Sequence, residues 1–518
     1  MNSLAERTKP LWVAGEAMKD LDAAPLGESI EVDVVVVGAG IAGMSTAYEL
    51  ARAGKRVGVL DAGPLGGGMT GRTTAHLANA LDDRWYELID LRGEEDARLA
   101  ADAHTAAIDR IEAIARDERI DCDFVRLDGY LFLAPGDGPQ ILDRELTASK
   151  KVGLAGVEKI ERMPLDIDSS PALRFPRQGR FHPLKYLSGL ARCIRRDGGR
   201  LFADSPVVTV QGGADAYVET DSGQRVRARE AVVVATNSPV NDRVVTHTKQ
   251  APYRSYAITA RVPKGSVPDA LYWDTPDPYH YVRLQPEEDG AHDLLIIGGE
   301  DHKTGQANDG GERFARLEQW ARKRFPGMQD IVHRWSGQVM EPVDFLAYIG
   351  RNEFDADNVY IATGDSGMGM THGAIAGMLL RDLILGKDNR WAKLFDPRRV
   401  TPGAIADFAM ENLNVAAQFV DFVTPGDVAS ADELKPGEGA VIRKGLRKVA
   451  AFRDESGALH ERSAICPHMG CVVRWNSTEG CFDCPCHGSQ FAGDGTVVNG
   501  PSRADLPELA SGGEQSQG

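Results

Sequence analysis

The run Val32-Asp-Val-Val-Val-Val-Gly38-Ala-Gly40-Ile-Ala-Gly43-Met-Ser-Thr-Ala-Tyr-Glu-Leu50 decides how most of this chain is read. Val32–Val37 has the β-branched composition of a short strand, and helical character takes over across Ala42–Ala53. Three glycines stand at the junction. The first permits a tight turn, the second lets backbone approach a pyrophosphate, and the third lets the helix pack closely on the strand. The exposed N–H groups at the helix start then face the phosphates. Lys55–Leu60 reads as a second strand, completing a β-α-β unit, and Asp61 ends it where a carboxylate can accept hydrogen bonds from a ribose. A lone G-x-G-x-x-G is weak evidence, but strand, helix, second strand and acid together predict a dinucleotide site. Its expected binding residues are Gly38, Gly40, Ile41, Ala42, Gly43 and Asp61. The fingerprint alone does not separate FAD from NAD.

Working outward, 518 residues are too many for one ordinary core, so two or three domains are expected. A hydrophobic content of 42% with 26% charged residues fits a globular protein, and a net charge of −17 argues against a nucleic-acid partner. The N-terminus lacks a basic start followed by an apolar stretch, and apolar runs are only strand-sized. A soluble cytoplasmic protein with no signal peptide or membrane span is therefore expected. Strand-like segments (124–133, 206–210, 226–235, 279–284, 294–297, 359–363) mix with helical ones (85–116, 183–196, 374–385), which favours α/β architecture. Pro, Gly and acid collect between Val423 and Ala440, marking a boundary; beyond it come short strands and turns without a clear helix.

A second glycine-rich stretch, Gly66-Gly-Gly-Met-Thr-Gly-Arg-Thr-Thr74, combines with the fingerprint to resemble the FAD-dependent D-amino-acid oxidase/glycine oxidase family. That resemblance implies that Thr70, Gly71, Arg72 and Thr73 lie along the flavin and pyrophosphate, although Thr73 replaces the commoner Asn. Ile361-Ala-Thr-Gly-Asp-Ser-Gly-Met-Gly-Met-Thr371 is similar to the family's closing turn before a helix. It contributes Gly364, Asp365, Gly367, Gly369 and Met370 to the expected FAD contacts, with Val208 a further one. Trp335-Ser-Gly-Gln338 and Tyr348-Ile-Gly-Arg351 also fit, so the resemblance spans roughly residues 30–390. Family members oxidise a C–N bond, the flavin performing the redox step while the protein orients the substrate. Tyr279, Tyr281 and Arg283, alternating along one strand, are the candidate catalytic-site contacts, the guanidinium suiting a substrate carboxylate. An exposed edge strand with a surface Arg is the competing reading. His76 is expected to touch FAD without a covalent bond, or simply to pack.

Five of the seven cysteines crowd between Cys466 and Cys486, as in metal or redox sites. Cys466-Pro-His-Met-Gly-Cys471 and Cys484-Pro-Cys-His-Gly-Ser489 each supply one thiolate and one imidazole. Cys466 and Cys484 on one iron, with His468 and His487 on the other, make a Rieske [2Fe–2S] centre. A tetrahedral zinc accepts the same four ligands, yet it has no need of Gly470, Gly488, Cys471 or Cys486. The segment from about Leu434 to Leu506, including Asn499-Gly-Pro501, resembles a Rieske domain, closer to those of cytochrome bc complexes than to those of ring-hydroxylating dioxygenases. The resemblance implies a Cys471–Cys486 disulfide, a hydrogen bond from Ser489 to the cluster, and Phe491 where Tyr is frequent. Cys481 has no family role and is expected to pack.

The expected architecture is an α/β FAD-binding domain of Rossmann-like, glutathione-reductase type with an α+β substrate domain, followed by an all-β Rieske domain. The divisions are an N-terminal extension (1–30), an oxidoreductase domain (31–415), a linker (416–433), the Rieske domain (434–508) and a disordered tail (509–518). Within the oxidoreductase domain, about 31–90, 175–240 and 345–390 bind FAD, while 91–174 and 241–344 form the substrate part. A flavin handles electrons in pairs and a Rieske centre singly. The expected function is oxidation of an amine or amino acid, with electrons leaving reduced FAD through the cluster to an external carrier (ferredoxin, cytochrome or quinone). The rivals are an oxidase releasing hydrogen peroxide, reversed flow into the flavin, and a redox sensor or electron-transfer protein without a small-molecule substrate.

Overall fold

Ile30–Val37 runs parallel to Arg225–Val234 on one side and to Val57–Leu60 on the other. A strand covered on both faces needs no alternation, which is why Val34–Val37 is an unbroken apolar run. The structure is a computed structural model that describes residues 6–13, 15–165, 171–241, 246–287 and 289–509. Leu509 apart, the expected tail lies outside the described residues.

Among the described residues, the first sheet has eight strands. Its main path runs Tyr348–Arg351, Val359–Thr363, Arg225–Val234, Ile30–Val37, Val57–Leu60 and Arg200–Phe202. The helix Ile41–Arg52 leaves the first strand and packs against Gly369–Ile384. Gly377 makes this approach close, since a Cβ there would lie 2.9 Å from Ser45. The two glycine-rich turns that begin these helices are thereby brought together.

A nine-stranded sheet forms the second layer, running from Ile331–Pro342 through Gln250–Pro263, His292–Lys303 and Tyr281–Pro286 to Val125–Phe132 and Ala172–Arg180. Two short elements depart from the expected division. His76–Leu77, and Ala172–Arg180 to its end, belong to this sheet although both fall largely within segments assigned to FAD binding. No helix among the described residues is long and apolar enough to cross a membrane.

The C-terminal unit is built from a three-stranded and a four-stranded antiparallel sheet. Only part of the expected linker is a connection. The helix Ile405–Ala417 runs into a short turn, Gln418–Phe422, but the backbone N–H groups of Asp427 and Val441 bond across to each other's residues. Lys448 Nζ caps Thr424 O at 2.8 Å, so packing of the C-terminal unit starts at Thr424. The N-terminal extension is equally integrated: Trp12 is fully buried and its indole N–H donates to Thr73 O at 2.6 Å.

Candidate active site

A cavity of about 780 Å³ opens where the two sheets meet. At one end Gly38 turns the chain at φ +102°, and a Cβ there would come within 2.3 Å of Ala235 O. Gly43 is pressed onto that turn, its missing Cβ only 1.9 Å from Gly38 O. Thr70 Oγ1 accepts from Ile41 N–H at 2.9 Å, tying the second glycine-rich stretch to the helix start. Asp61 accepts from the N–H groups of Ala39 (2.7 Å) and Gly63 (3.0 Å), while burial pushes its carboxyl up to about 6.

Of the expected FAD contacts, Gly38, Gly40, Ile41, Ala42, Asp61, Thr70, Arg72, Thr73, Asp365, Gly367, Gly369 and Met370 line this cavity. Gly43, Gly71, Val208 and Gly364 do not; Gly43 acts through helix packing, and Val207, one residue earlier, takes the place expected for Val208. The sequence reading missed Thr236 and Asn237, which follow the strand Arg225–Val234. The buried Asn237 Nδ2 has no hydrogen-bond partner and sits in the cavity wall. A deep glycine-cradled cleft with such a donor fits FAD.

Arg72 requires a correction. Its guanidinium turns from the cavity into a buried cluster, 3.0 Å from Glu6 Oε2 and 3.0 Å from Glu479 Oε1, and donates to Ser336 O. Any contact with the cofactor is left to its backbone. Trp335 Nε1–H donates to Arg72 O at 2.8 Å and holds that backbone in place.

At the other end Tyr279 and Tyr281 line the cavity with ring centroids 5.4 Å apart, but Arg283 does not reach it. Two positions further along the strand, Arg283 meets the wall formed by Ala75 and Phe181. Its Nη1 donates to both carbonyls, at 2.7 and 3.0 Å, and its ring neighbour is Trp12 at 5.4 Å. It is fully buried, so neither the substrate contact nor the surface alternative holds. His76 lines the cavity beside Tyr281, with Nδ1 3.1 Å from Thr74 Oγ1, and burial pushes it down to about 3, leaving a neutral ring.

Around the tyrosines the wall is acidic. The Tyr279 hydroxyl faces Asp82, and the Tyr281 hydroxyl is 2.7 Å from Ser255 Oγ, which stands beside Asp301. Ser366 Oγ lies 3.1 Å from Asp83 Oδ2 and 3.0 Å from Glu341 Oε2. One hydroxyl proton cannot serve both acceptors, so a further proton is favoured on one carboxyl. Burial pushes Asp82 up to about 6 and both Asp83 and Asp301 up to about 7; Glu341 is raised well above the usual carboxylate range.

In the C-terminal unit each Cys-His box is a tight turn, closed by Gly470 N–H to Cys466 O (3.0 Å) and Gly488 N–H to Cys484 O (3.1 Å). The turns bring Cys466 and Cys484 into thiol–thiol contact and set the His468 and His487 rings 5.0 Å apart at 89°. The buried Nδ1 of His487 has no hydrogen-bond partner, as a metal ligand requires. Cys471 and Cys486 form the expected disulfide, Cα atoms 6.5 Å apart, joining the loops. Cys471, Cys484 and Cys486 also converge, but the disulfide consumes two of those sulfurs, leaving two Cys and two His to fit a [2Fe–2S] cluster. Ser489 contacts Cys466, Phe491 is buried in the same core, and Cys481 packs beside Asp483.

The two sites are neighbours. Gln338, in the cavity wall, donates from Nε2 to Gly488 O at 3.1 Å, and Val498 and Asn499 of the C-terminal unit also line the cavity. His247 packs on both cluster histidines, 4.8 Å from His468 and 5.7 Å from His487. Arg254, 1% exposed, lies 3.4 Å from Asp483 across the same interface.

Comparisons with known proteins agree with this construction. The family profile described as FAD dependent oxidoreductase matches residues 33–383, and that of the Rieske [2Fe-2S] domain matches residues 424–510. A Bacillus subtilis protein, YhfW, named for a Rieske 2Fe-2S iron-sulfur protein, is 33% identical over 494 residues, covering 95% of this chain and 96% of its own. Gamma-glutamylputrescine oxidoreductase of Escherichia coli is 30% identical, over 73% of this chain and 90% of its own. Glycine oxidase from Geobacillus kaustophilus shares the fold of the larger part, with a TM-score of 0.60 at 18% identity, covering 71% of this chain and 99% of that one.

Proposed function

Since the chain belongs to the FAD dependent oxidoreductase family and carries a Rieske [2Fe-2S] domain, we propose that it oxidises a C–N bond of an amine or amino acid and is drained by an external one-electron carrier. The observation that carries this reading is the junction at Gln338, where one side chain lines the large cavity and touches the loop of the second cluster box. The names of the relatives support the substrate class: one acts on gamma-glutamylputrescine, and a fold neighbour is a glycine oxidase. When bound, FAD accepts a hydride from carbon and the cluster carries single electrons, a pairing suited to a dehydrogenase.

The chain's own residues orient and deprotonate. A substrate ammonium must lose a proton before its carbon can give up hydride. Asp301, pushed up to about 7, has the proton affinity of a general base at neutral pH. Its contact with Ser255, and that of Ser255 with Tyr281, fix the carboxyl beside the aromatic wall. His76 stays neutral and adds no competing positive charge.

Anaerobic rapid mixing of holoprotein with amines and amino acids tests the reading. Flavin bleaching followed by appearance of the reduced-cluster EPR signal is expected. Bleaching that reoxidises only with oxygen, the cluster staying oxidised, would point to an oxidase instead.

A further inference from the structure

The geometry points to a substrate that is a cationic amine without a carboxylate on the reacting carbon, its ammonium held by Asp301, Asp82, Asp83 and Glu341 against Tyr279 and Tyr281. This inference rests on the C–N oxidation reading and narrows it.

A pocket built for an α-amino acid needs a fixed cation for the carboxylate, and a bidentate guanidinium is the usual solution. Among the described residues lining this cavity, the only Lys or Arg residues are Arg72 and Arg84. Arg72 spends its guanidinium on Glu6, Glu479 and Ser336 O. Arg84 donates to Asp82 O at 3.0 Å and Asp274 O at 3.1 Å, and its attraction helps ionise Asp82 and Asp83. Arg283, the one candidate from the strand itself, is walled off behind Ala75 and Phe181. A substrate carboxylate would enter beside four acids and find no free guanidinium.

An ammonium meets the opposite circumstances. Asp301 Oδ1 is a buried oxygen with no hydrogen-bond partner, in the wall of a cavity large enough for a ligand. Such an acceptor costs free energy until a donor arrives. Asp83 and Glu341 share one serine hydroxyl and repel each other, and a cation placed between them relieves both. The two tyrosine rings supply faces for a cation and for the methylenes behind it.

Putrescine and 2,5-diaminoadipate differ only by a carboxylate on each amine-bearing carbon, which makes them a matched pair of probes. Binding to anaerobic holoprotein is read from the flavin absorbance perturbation at low and high ionic strength. Putrescine is expected to bind at least tenfold more tightly than 2,5-diaminoadipate, less so in high salt. Asp301→Asn and, separately, Glu341→Gln should each weaken putrescine at least fivefold, with thermal unfolding confirming that both variants fold. Equal or tighter binding of 2,5-diaminoadipate, or no binding of either probe, overturns the inference. Putrescine binding without any flavin bleaching keeps the inference and instead refutes C–N oxidation of that probe class.

Discussion

Replacing Arg254 by Met should destabilise the protein strongly and in a pH-dependent way. Arg254 crosses from the nine-stranded sheet into the Rieske unit, 3.4 Å from Asp483, 3.7 Å from Glu6 and 3.8 Å from Glu479, and donates to Ser336 Oγ at 2.7 Å. Its removal leaves three buried carboxylates to one buried cation, Arg72. Breaking a buried pair from one side costs about 3–5 kcal/mol because the other charge stays desolvated. For a chain of 518 residues the unfolding entropy makes this about 1 °C per kcal/mol, so the melting midpoint should fall by roughly 3–5 °C. Burial already holds Glu6 up at about 7, and Arg254 draws down the proton affinity of both Glu6 and Glu479, so its loss raises the folded-state pKa of each while the unfolded chain is unchanged. Groups of that kind stabilise below the unfolded pKa and lose the contribution as pH rises. The deficit should therefore be small near pH 5 and grow toward pH 8. Differential scanning calorimetry at the two pH values measures it, with the double variant Arg254→Met/Asp483→Asn expected to recover part of the loss. A midpoint within about 1 °C of wild type at pH 8, or a deficit that grows toward acid, would refute the argument.

The other expectations concern the cofactor sites and the cavity. Cys484→Ser should abolish the cluster EPR signal and most bound iron while flavin absorbance stays at the wild-type level; full iron retention would count against Cys484 as a ligand. Phe491→Tyr adds a hydroxyl in the core that holds Cys466 and Cys484. One net hydrogen bond of about 1 kcal/mol corresponds to roughly 40 mV for a one-electron couple, so EPR-monitored titration should show the potential raised by that order. Gly43→Ala puts a Cβ 1.9 Å from Gly38 O and should cut FAD content at least tenfold on purification; undiminished flavin would mean the helix can shift at no cost. Asp82 at about 6, and Asp83 and Asp301 at about 7, should ionise when an ammonium binds, so putrescine affinity should tighten from pH 5 to pH 8 with protons released. Calorimetry in two buffers of different ionisation enthalpy reads that release, and a flat profile would dissociate these acids from the ligand.

The cluster histidines face inward. His247, from the short turn His247–Lys249, packs on His468 and His487, and the salt-bridge cluster of Glu6, Arg72, Arg254 and Glu479 fastens the same interface. A Rieske unit held this way is seated beside the cavity by buried polar contacts, which are costly to break singly. The flavin-loop residue Arg72 therefore supports the seat of the second domain.

Much of this protein is legible in its amino-acid sequence. The fingerprint Gly38–Gly43, the acid at Asp61 and the two Cys-His boxes are local devices, in which a few consecutive residues must adopt one backbone shape to do their chemistry. Composition over five to ten residues likewise marks the strands Ile30–Val37, Arg225–Val234 and Val359–Thr363. What the tertiary structure alone decided is where long side chains end. Alternation predicts Tyr279, Tyr281 and Arg283 on one strand face, whereas the strand begins only at Tyr281 and the wall of Ala75 and Phe181 keeps the guanidinium out of the cavity. The acidic pocket joins Asp82, Asp83, Asp301 and Glu341 from segments far apart in sequence, and the interface joins Glu6 to Glu479. Neither carries a local signature, because each carboxylate alone looks like an ordinary surface acid until burial raises the cost of its charge.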